Sequence, residues 1–253
     1  MVKGFNKFKE YFADFTDQYV LIGGTACTIV MDHNGMDFRG TKDLDIVLFV
    51  EALTSDFLKQ FWEFISDGEY RQQNASTGKK QFYRFANPEN AAFPEMLELF
   101  SRKPDSLIFS GSGHLTPLPT DDESSSLSAI LLDTEYYSFI HQGRQTIDRV
   151  SVLGPEYLIP IKAKAFIDLS DRRKAGELID SKSIIKHKND ILRLYPIVVP
   201  ALIPHLSKTI YDDLTTFIDS LSGEQIDLKQ LGYSAKFKVS DILKEIAERY
   251  KPV

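Results

Sequence analysis

The stretch "YVLIGGTACTIVMDHNGMDFRGTKDLDIVLFV", residues 19–50, contains the pattern that decides the fold. An apolar run ends in Gly23 and Gly24, a short helical pattern and a polar loop follow, and Asp43 and Asp45 open a second apolar run. Glycines after a buried strand are typical of a tight turn, because glycine adopts backbone conformations that other residues avoid. The stretch therefore predicts a strand, a turn, a helix packed behind it and a second strand buried on both faces.

The sequence downstream adds a helix and further strands to this unit. Residues 54–67, "TSDFLKQFWEFISD", predict an amphipathic helix with a Thr or Ser cap. The runs "KQFYRFA" and "EMLELFSR" predict two strands, and residues 127–154 predict a hairpin added to the same sheet. Residues 110–128, rich in Gly, Ser, Pro and Asp, predict a surface loop between them.

From Gly154 onward, apolar residues recur at the spacing that is typical of α-helices. We therefore predict an α+β protein with a small mixed β-sheet and flanking helices, followed by a C-terminal helical bundle. The predicted domains are residues 1–155, an α/β domain, and residues 156–253, a helical domain.

Composition limits the class of protein. The 253 residues are 43% hydrophobic and 26% charged, enough for a buried core. Cys27 is the one cysteine, which excludes a disulfide framework and a cysteine-rich zinc site and fits a reducing compartment. The chain has no run of about 20 apolar residues, the length of a membrane span, and its net charge of −6 disfavours broad non-specific binding to nucleic acid. We expect a cytoplasmic protein that does not bind membranes.

The paired aspartates suggest a metal site. Residues two apart in a strand point to the same face, so the carboxylates of Asp43 and Asp45 repel one another unless a cation or proton neutralises one. Mg²⁺ prefers such hard oxygen ligands and commonly links carboxylates to substrate phosphates. Taken alone, "KDLD" is more typical of a solvated turn at the start of a strand.

Glu98 is a third candidate acid, since it lies on a strand face that should otherwise be core. If its strand neighbours that of Asp43 and Asp45, Glu98 completes a three-carboxylate metal site. The alternatives are a general base or an edge glutamate in solvent.

Together these residues resemble the polymerase-beta-type nucleotidyltransferases, and in particular the AbiEii/AbiGii toxin branch, in which a "GGTA…R-x-TKDLDL" pattern occurs. Here "GGTACTIVMDHNGMDFRGTKDLDI" corresponds to it. The resemblance implies that Asp43, Asp45 and Glu98 hold Mg²⁺ or Mn²⁺. It also implies that a nucleoside triphosphate binds near the glycine turn, through Gly23, Gly24, Thr25 and Lys42.

The resemblance extends more loosely into the helical region. "IPIKAKAF" supplies Lys162, which would approach the triphosphate, and "KHKND" supplies Asp190, which would orient that lysine or contact the base or ribose. Lys186 and His187 precede Asp190 and are further nucleotide-binding candidates. Asn189 stands where the family usually has arginine. For any single lysine here a solvated helix face is the simpler interpretation, and for His187 the simpler interpretation is a structural hydrogen bond.

The resemblance implies an NTP-dependent, pyrophosphate-releasing nucleotidyltransferase. Its acceptor would be an RNA or tRNA 3′ end, and the protein would be the toxin of a bacterial toxin–antitoxin or phage-defence system with a cognate antitoxin protein. Three alternatives stay open: transfer to a small molecule or protein hydroxyl, a catalytically silent module that binds a nucleotide or a protein, and a metal-dependent phosphohydrolase.

Overall fold

The computed structural model describes residues 2–49, 51–76, 82–101, 116–118, 130–131 and 133–252. These residues contain eight strands and eight α-helices, together with short 3₁₀ turns. In chain order they are α1 (Phe5–Phe12), β1 (Tyr19–Ile22), α2 (Gly23–His33), β2 (Asp43–Leu48), α3 (Ser55–Asp67), β3 (Tyr70–Ser76), β4 (Phe82–Pro88), β5 (Met96–Phe100), β6 (Thr116–Leu118), α4 (Thr134–Gln142), β7 (Arg144–Ile147), β8 (Val150–Leu153), α5 (Pro155–Lys174), α6 (Ser181–Leu194), α7 (Lys208–Ser220) and α8 (Val239–Arg249).

The strands form one mixed sheet in the order β6-β3-β4-β5-β2-β1-β8-β7. β2 lies between β1, to which it is antiparallel, and β5, to which it is parallel. The beginnings of β2 and β5 and the end of β1 therefore meet at one edge of the sheet. This edge is where the sequence places its acidic residues.

The strand–turn–helix–strand prediction for residues 19–50 is confirmed. β1 is buried throughout, and the apolar residues of β2 are buried on both faces, as expected for central strands. α2 begins directly at Gly23 without a loop. The predicted helix over residues 54–67 is also confirmed, with the Thr54 hydroxyl accepting the cap bond from the Phe57 N–H.

The C-terminal helices cover α2. α5 packs against α6, α7 and α2, and α6 also contacts α2. One apolar core is continuous from the sheet through α2 into α5, α6 and α7. The α+β prediction with a helical C-terminal part is confirmed, whereas the domain boundary at residues 155/156 stays a prediction.

Several predicted details differ from the structure. Most of the predicted loop at residues 110–128 lies outside the described residues, but Thr116–Leu118 form β6, so the loop prediction was wrong there, because these residues pair with β3. The hairpin predicted for residues 127–154 is confirmed only for its last part, where β7 and β8 pair antiparallel. Residues Thr134–Gln142 form helix α4, so the hairpin prediction was wrong there. No helix within the described residues combines the length and the apolar character that a membrane crossing requires.

Candidate functional site

The glycine pair allows two chain segments to approach the first turn of α2. Gly23 has φ +63°, and a Cβ atom there would lie 1.8 Å from the Asp45 Oδ2 atom. A Cβ atom on Gly24 would lie 2.7 Å from the Thr41 Oγ1 atom. The carboxylate of β2 and the loop before β2 therefore both rest on the start of α2, and each contact needs a residue without a side chain.

The register of the strands brings the three predicted acids together. Asp45 is aligned with Ile22 of β1 on one side and with Glu98 of β5 on the other. Asp43 precedes Asp45 by two residues, so all three side chains lie on the same face of the sheet. Asp43 and Asp45 are half-buried, and Glu98 is buried.

Glu98 is bonded to an arginine that the sequence analysis did not identify. Arg84 of β4 is aligned with Glu98, and its Nε atom donates to the Glu98 Oε1 atom at 2.7 Å, with Nη2 also in contact. In the described parts of the chain, no group of three or more His, Cys, Asp or Glu side chains is arranged to hold a metal ion. The role of Glu98 as a metal ligand therefore stays a prediction.

The two aspartates alone still suit Mg²⁺ or Mn²⁺. Mg²⁺ is commonly held by one or two carboxylates together with substrate phosphates and water. The carboxylates of Asp43 and Asp45 supply two hard oxygen donors on one face of the sheet, next to the glycine turn that begins α2. The donor chemistry therefore fits a divalent ion that binds together with a phosphate-bearing substrate.

Thr25 connects α2 to β2. Its hydroxyl donates to the main-chain carbonyl of Asp43, and the side chain is fully buried. The hydroxyl thus anchors the first aspartate instead of facing a ligand. The main-chain N–H of Thr25, the other predicted phosphate donor, lies in the first turn of α2, where helix N–H groups lack intrahelical partners.

Behind this turn lies a buried cluster of three charged side chains. Asp190 Oδ2 accepts hydrogen bonds from Lys162 Nζ at 2.8 Å and from Arg39 Nη2 at 2.7 Å, and its Oδ1 accepts from Arg39 Nε at 2.8 Å. The side chains of Asp190 and Lys162 are 0% and 4% exposed, and that of Arg39 is 23% exposed. We call these residues the Arg39–Asp190–Lys162 triad.

The triad residues keep their charges despite burial. Burial raises the pKa of Asp190, but Lys162 and Arg39 outweigh it and hold that pKa well below its ordinary value. Burial lowers the pKa of Lys162, and Asp190 more than restores it, so the lysine stays an ammonium group. The expected contact between Asp190 and Lys162 is present, and Lys162 is bound to this carboxylate at a buried position.

The other predicted cations lie further out. Lys42 is exposed, with its Nζ atom 3.4 Å from the Glu95 Oε2 atom. Lys186 and His187 are half-buried on α6, within one turn before Asp190. Their predicted nucleotide contacts stay predictions.

Sequence analysis missed the functional candidates Arg39 and Arg84. Arg84 interrupts the aromatic run "FYRFA", as Glu98 interrupts "MLELF", and two isolated opposite charges in neighbouring strands are a signal of a cross-strand pair. Arg39 is the arginine of the "R-x-TKDLDL" pattern, but its contact with Asp190 gives no local signal, because Asp190 lies 151 residues away.

No protein-family model and no curated protein matches the sequence. The AbiEii/AbiGii resemblance therefore stays a prediction.

Several solved structures are similar to this chain. One is an antigenic nucleotidyltransferase-like protein from Paracoccidioides brasiliensis, 16% identical, with a TM-score of 0.45 over 89% of this chain and 92% of that chain. Another is the Megavirus polyadenylate synthase, 13% identical, with a TM-score of 0.40 over 87% of this chain and 36% of that one. Overlap at this level is partial, and neither likeness bears on what this chain does.

Proposed function

We propose that the protein is a metal-dependent nucleotidyltransferase, which moves a nucleoside monophosphate from a nucleoside triphosphate to an acceptor hydroxyl and releases pyrophosphate. The observation that carries this proposal is the packing of the Asp45 carboxylate against the glycine turn that begins α2, with Asp43 on the same face. This arrangement sets anionic oxygens for a cation beside main-chain N–H groups for a phosphate.

Each element of the site has a separate task in this reaction. The N–H groups of Gly23, Gly24 and Thr25 point out of the helix start and bind phosphate oxygens. Asp43 and Asp45 hold Mg²⁺ or Mn²⁺, which when bound neutralises phosphate charge and lowers the pKa of the acceptor hydroxyl. The acceptor oxygen attacks the α-phosphorus in line, the bond to the β-phosphate breaks, and pyrophosphate leaves with the bonding electrons.

The proton of the acceptor hydroxyl needs a base. Glu98 is the neighbouring carboxylate on β5, aligned with Asp45, and Arg84 orients it. We assign Glu98 the role of general base in preference to that of metal ligand, because the arginine bond already satisfies one carboxylate oxygen.

For the acceptor, the resemblance of residues 19–50 to the toxin branch favours an RNA or tRNA 3′ end, with a bacterial toxin–antitoxin or phage-defence role and an antitoxin protein as partner. A small-molecule or protein hydroxyl is the alternative acceptor. Incubation of the protein with labelled nucleoside triphosphates and separate RNA, protein and small-molecule fractions distinguishes them. Label in the RNA fraction alone supports the RNA acceptor, and label in another fraction refutes it.

A second candidate function is a catalytically silent nucleotide-binding module. It is favoured by one observation: two predicted catalytic side chains, Glu98 and Lys162, are held in ion pairs with Arg84 and Asp190. Such a module binds a nucleotide without breaking it down.

Pyrophosphate release in Mg²⁺ tests both candidates. Wild type should release pyrophosphate, whereas Asp43→Asn and Asp45→Asn should lose nearly all of this activity and stay folded. Asp14→Asn is a matched control, because Asp14 is an exposed carboxylate paired with Arg149 away from the site. Equal activity in wild type and both site variants refutes the proposal, and nucleotide binding without pyrophosphate release supports the silent module.

A further inference from the structure

The Arg39–Asp190–Lys162 triad carries an unequal charge. It contains two cations and one carboxylate, and all three keep their charges. Asp190 and Lys162 are almost fully buried, whereas the side chain of Arg39 is 23% exposed, so Arg39 is the cation of the triad that solvent reaches. The triad therefore presents a cation at one defined surface point.

That point lies over the glycine turn. The Arg39 Nη2 atom is 3.6 Å from the position that a Cβ atom on Gly24 would take. Arg39 belongs to the loop before β2, and Thr41 of the same loop also rests on Gly24. The guanidinium is thus placed beside the helix start to which the proposed function assigns the triphosphate.

Lys162 is poorly placed for the same task. Its ammonium is bonded to a carboxylate that is 0% exposed, and its own side chain is 4% exposed. To reach a phosphate, Lys162 would have to leave Asp190 and take up a position closer to solvent. Removing one partner of a buried ion pair is strongly unfavourable, because the remaining charge loses its compensation.

We infer that Arg39, and not Lys162, is the side-chain cation that binds the triphosphate, with Asp190 and Lys162 as positioning residues that hold its guanidinium over the glycine turn. This inference rests on the proposed nucleotidyltransferase function. The two bonds from Arg39 to Asp190 fix the plane of the guanidinium, and the adjacent Phe38 ring lies 5.3 Å from its central carbon. A fixed planar fork matches phosphate geometry better than a flexible ammonium group does.

Binding of inorganic tripolyphosphate, measured by calorimetry with and without Mg²⁺, tests the inference without a base or an acceptor. Arg39→Gln should raise the dissociation constant about tenfold or more, since a charge-assisted hydrogen bond is lost. Arg39→Lys should recover only part of the affinity. Arg172→Gln is a matched control, because Arg172 is 22% exposed and is also bound to carboxylates. This variant should change the dissociation constant for tripolyphosphate by less than about twofold.

A second measurement begins with the wild-type protein, so its main result does not depend on a variant that folds. Tripolyphosphate should slow the modification of Arg39 by phenylglyoxal, followed by mass spectrometry, and leave Arg172 unaffected. Asp190→Asn should weaken tripolyphosphate binding and reduce this protection, although Asp190 itself is buried. A structural role alone would not make the protection depend on the ligand.

The outcomes separate this inference from the proposed function. If tripolyphosphate binding depends on Arg39 but the protein releases no pyrophosphate, the inference is supported and the proposed transferase function is refuted. Pyrophosphate release with tripolyphosphate binding that is equal in wild type and Arg39→Gln overturns the inference and keeps the transferase. An absence of any binding by the wild type also overturns the inference.

Discussion

The contact between the glycine turn and Asp45 predicts that the variant Gly23→Ala loses stability, measured as the free energy of unfolding. At φ +63° an alanine costs about 1–2 kcal/mol, because its Cβ atom crowds the backbone. The new Cβ atom would also lie 1.8 Å from Asp45 Oδ2 and 2.8 Å from Cγ, so the carboxylate must move. Overpacking of this kind adds about 1–3 kcal/mol. The free energy of unfolding should therefore fall by about 2–5 kcal/mol in total.

Gly35→Ala provides the matched control for the backbone cost. Gly35 has φ +69°, and a Cβ atom there would meet no heavy atom within 4 Å. The free energy of unfolding of Gly35→Ala should therefore fall by the backbone cost alone, about 1–2 kcal/mol. Urea denaturation followed by circular dichroism measures both variants, and each 1 kcal/mol should also lower the melting temperature by about 2–4 °C.

A double-mutant cycle with Asp45→Ala identifies the cause. In the Gly23→Ala/Asp45→Ala protein the clashing carboxylate is absent, and only the Asp45 Cβ position remains, at 3.2 Å. The two changes should therefore couple by about 1–3 kcal/mol, with the double variant more stable than additivity predicts. Additive losses, or a Gly23→Ala loss equal to that of Gly35→Ala, would refute the reasoning.

Three further predictions follow from buried charged and polar groups. Asp190→Asn should lower the free energy of unfolding by about 3–5 kcal/mol at neutral pH, since Lys162 and Arg39 lose their anion. Because folding depresses the pKa of Asp190, the stability that its carboxylate contributes is present above the ordinary pKa of 3.8 and is lost as the pH falls below that value. Urea titrations should therefore show the stability difference between wild type and Asp190→Asn narrowing in acid. Burial raises the pKa of Cys27 to about 12, so Ellman's reagent should react with this thiol only after unfolding, and equal rates in folded and unfolded protein would contradict that. Arg84→Met should lower the free energy of unfolding by about 3 kcal/mol, because the buried Glu98 carboxylate loses its arginine; urea denaturation measures the loss, and a stability equal to that of wild type would contradict it.

The local features of the site were predictable from sequence because they depend on neighbouring residues. The turn at Gly23, the shared face of Asp43 and Asp45 and the helix after the turn all follow from strand and helix periods. Placement of Glu98 needed one further assumption, that β5 neighbours β2, and the register confirms it.

Features that depend on distant partners were not predictable in the same way. β3, "YRQQNAS", has no apolar alternation, and its strand conformation comes from pairing with β4 and β6. α1, by contrast, carries a local helical pattern, since Phe5, Phe8 and Phe12 recur at helical spacing and are buried along one side. The partner of Arg39 could not be found by any local rule, because the folded chain alone brings Asp190 to it.

The sequence separation within the triad has a consequence for biosynthesis. Asp190 is made 151 residues after Arg39, which corresponds to roughly 8–30 s of translation at about 5–20 residues per second. A nascent chain that ends before α6 contains the aspartates and the glycine turn, whereas the carboxylate that seats Arg39 has not yet been made. If Arg39 binds the triphosphate as inferred above, tight triphosphate binding is restricted to chains synthesised through α6, so that ribosome-bound and prematurely terminated fragments stay inactive.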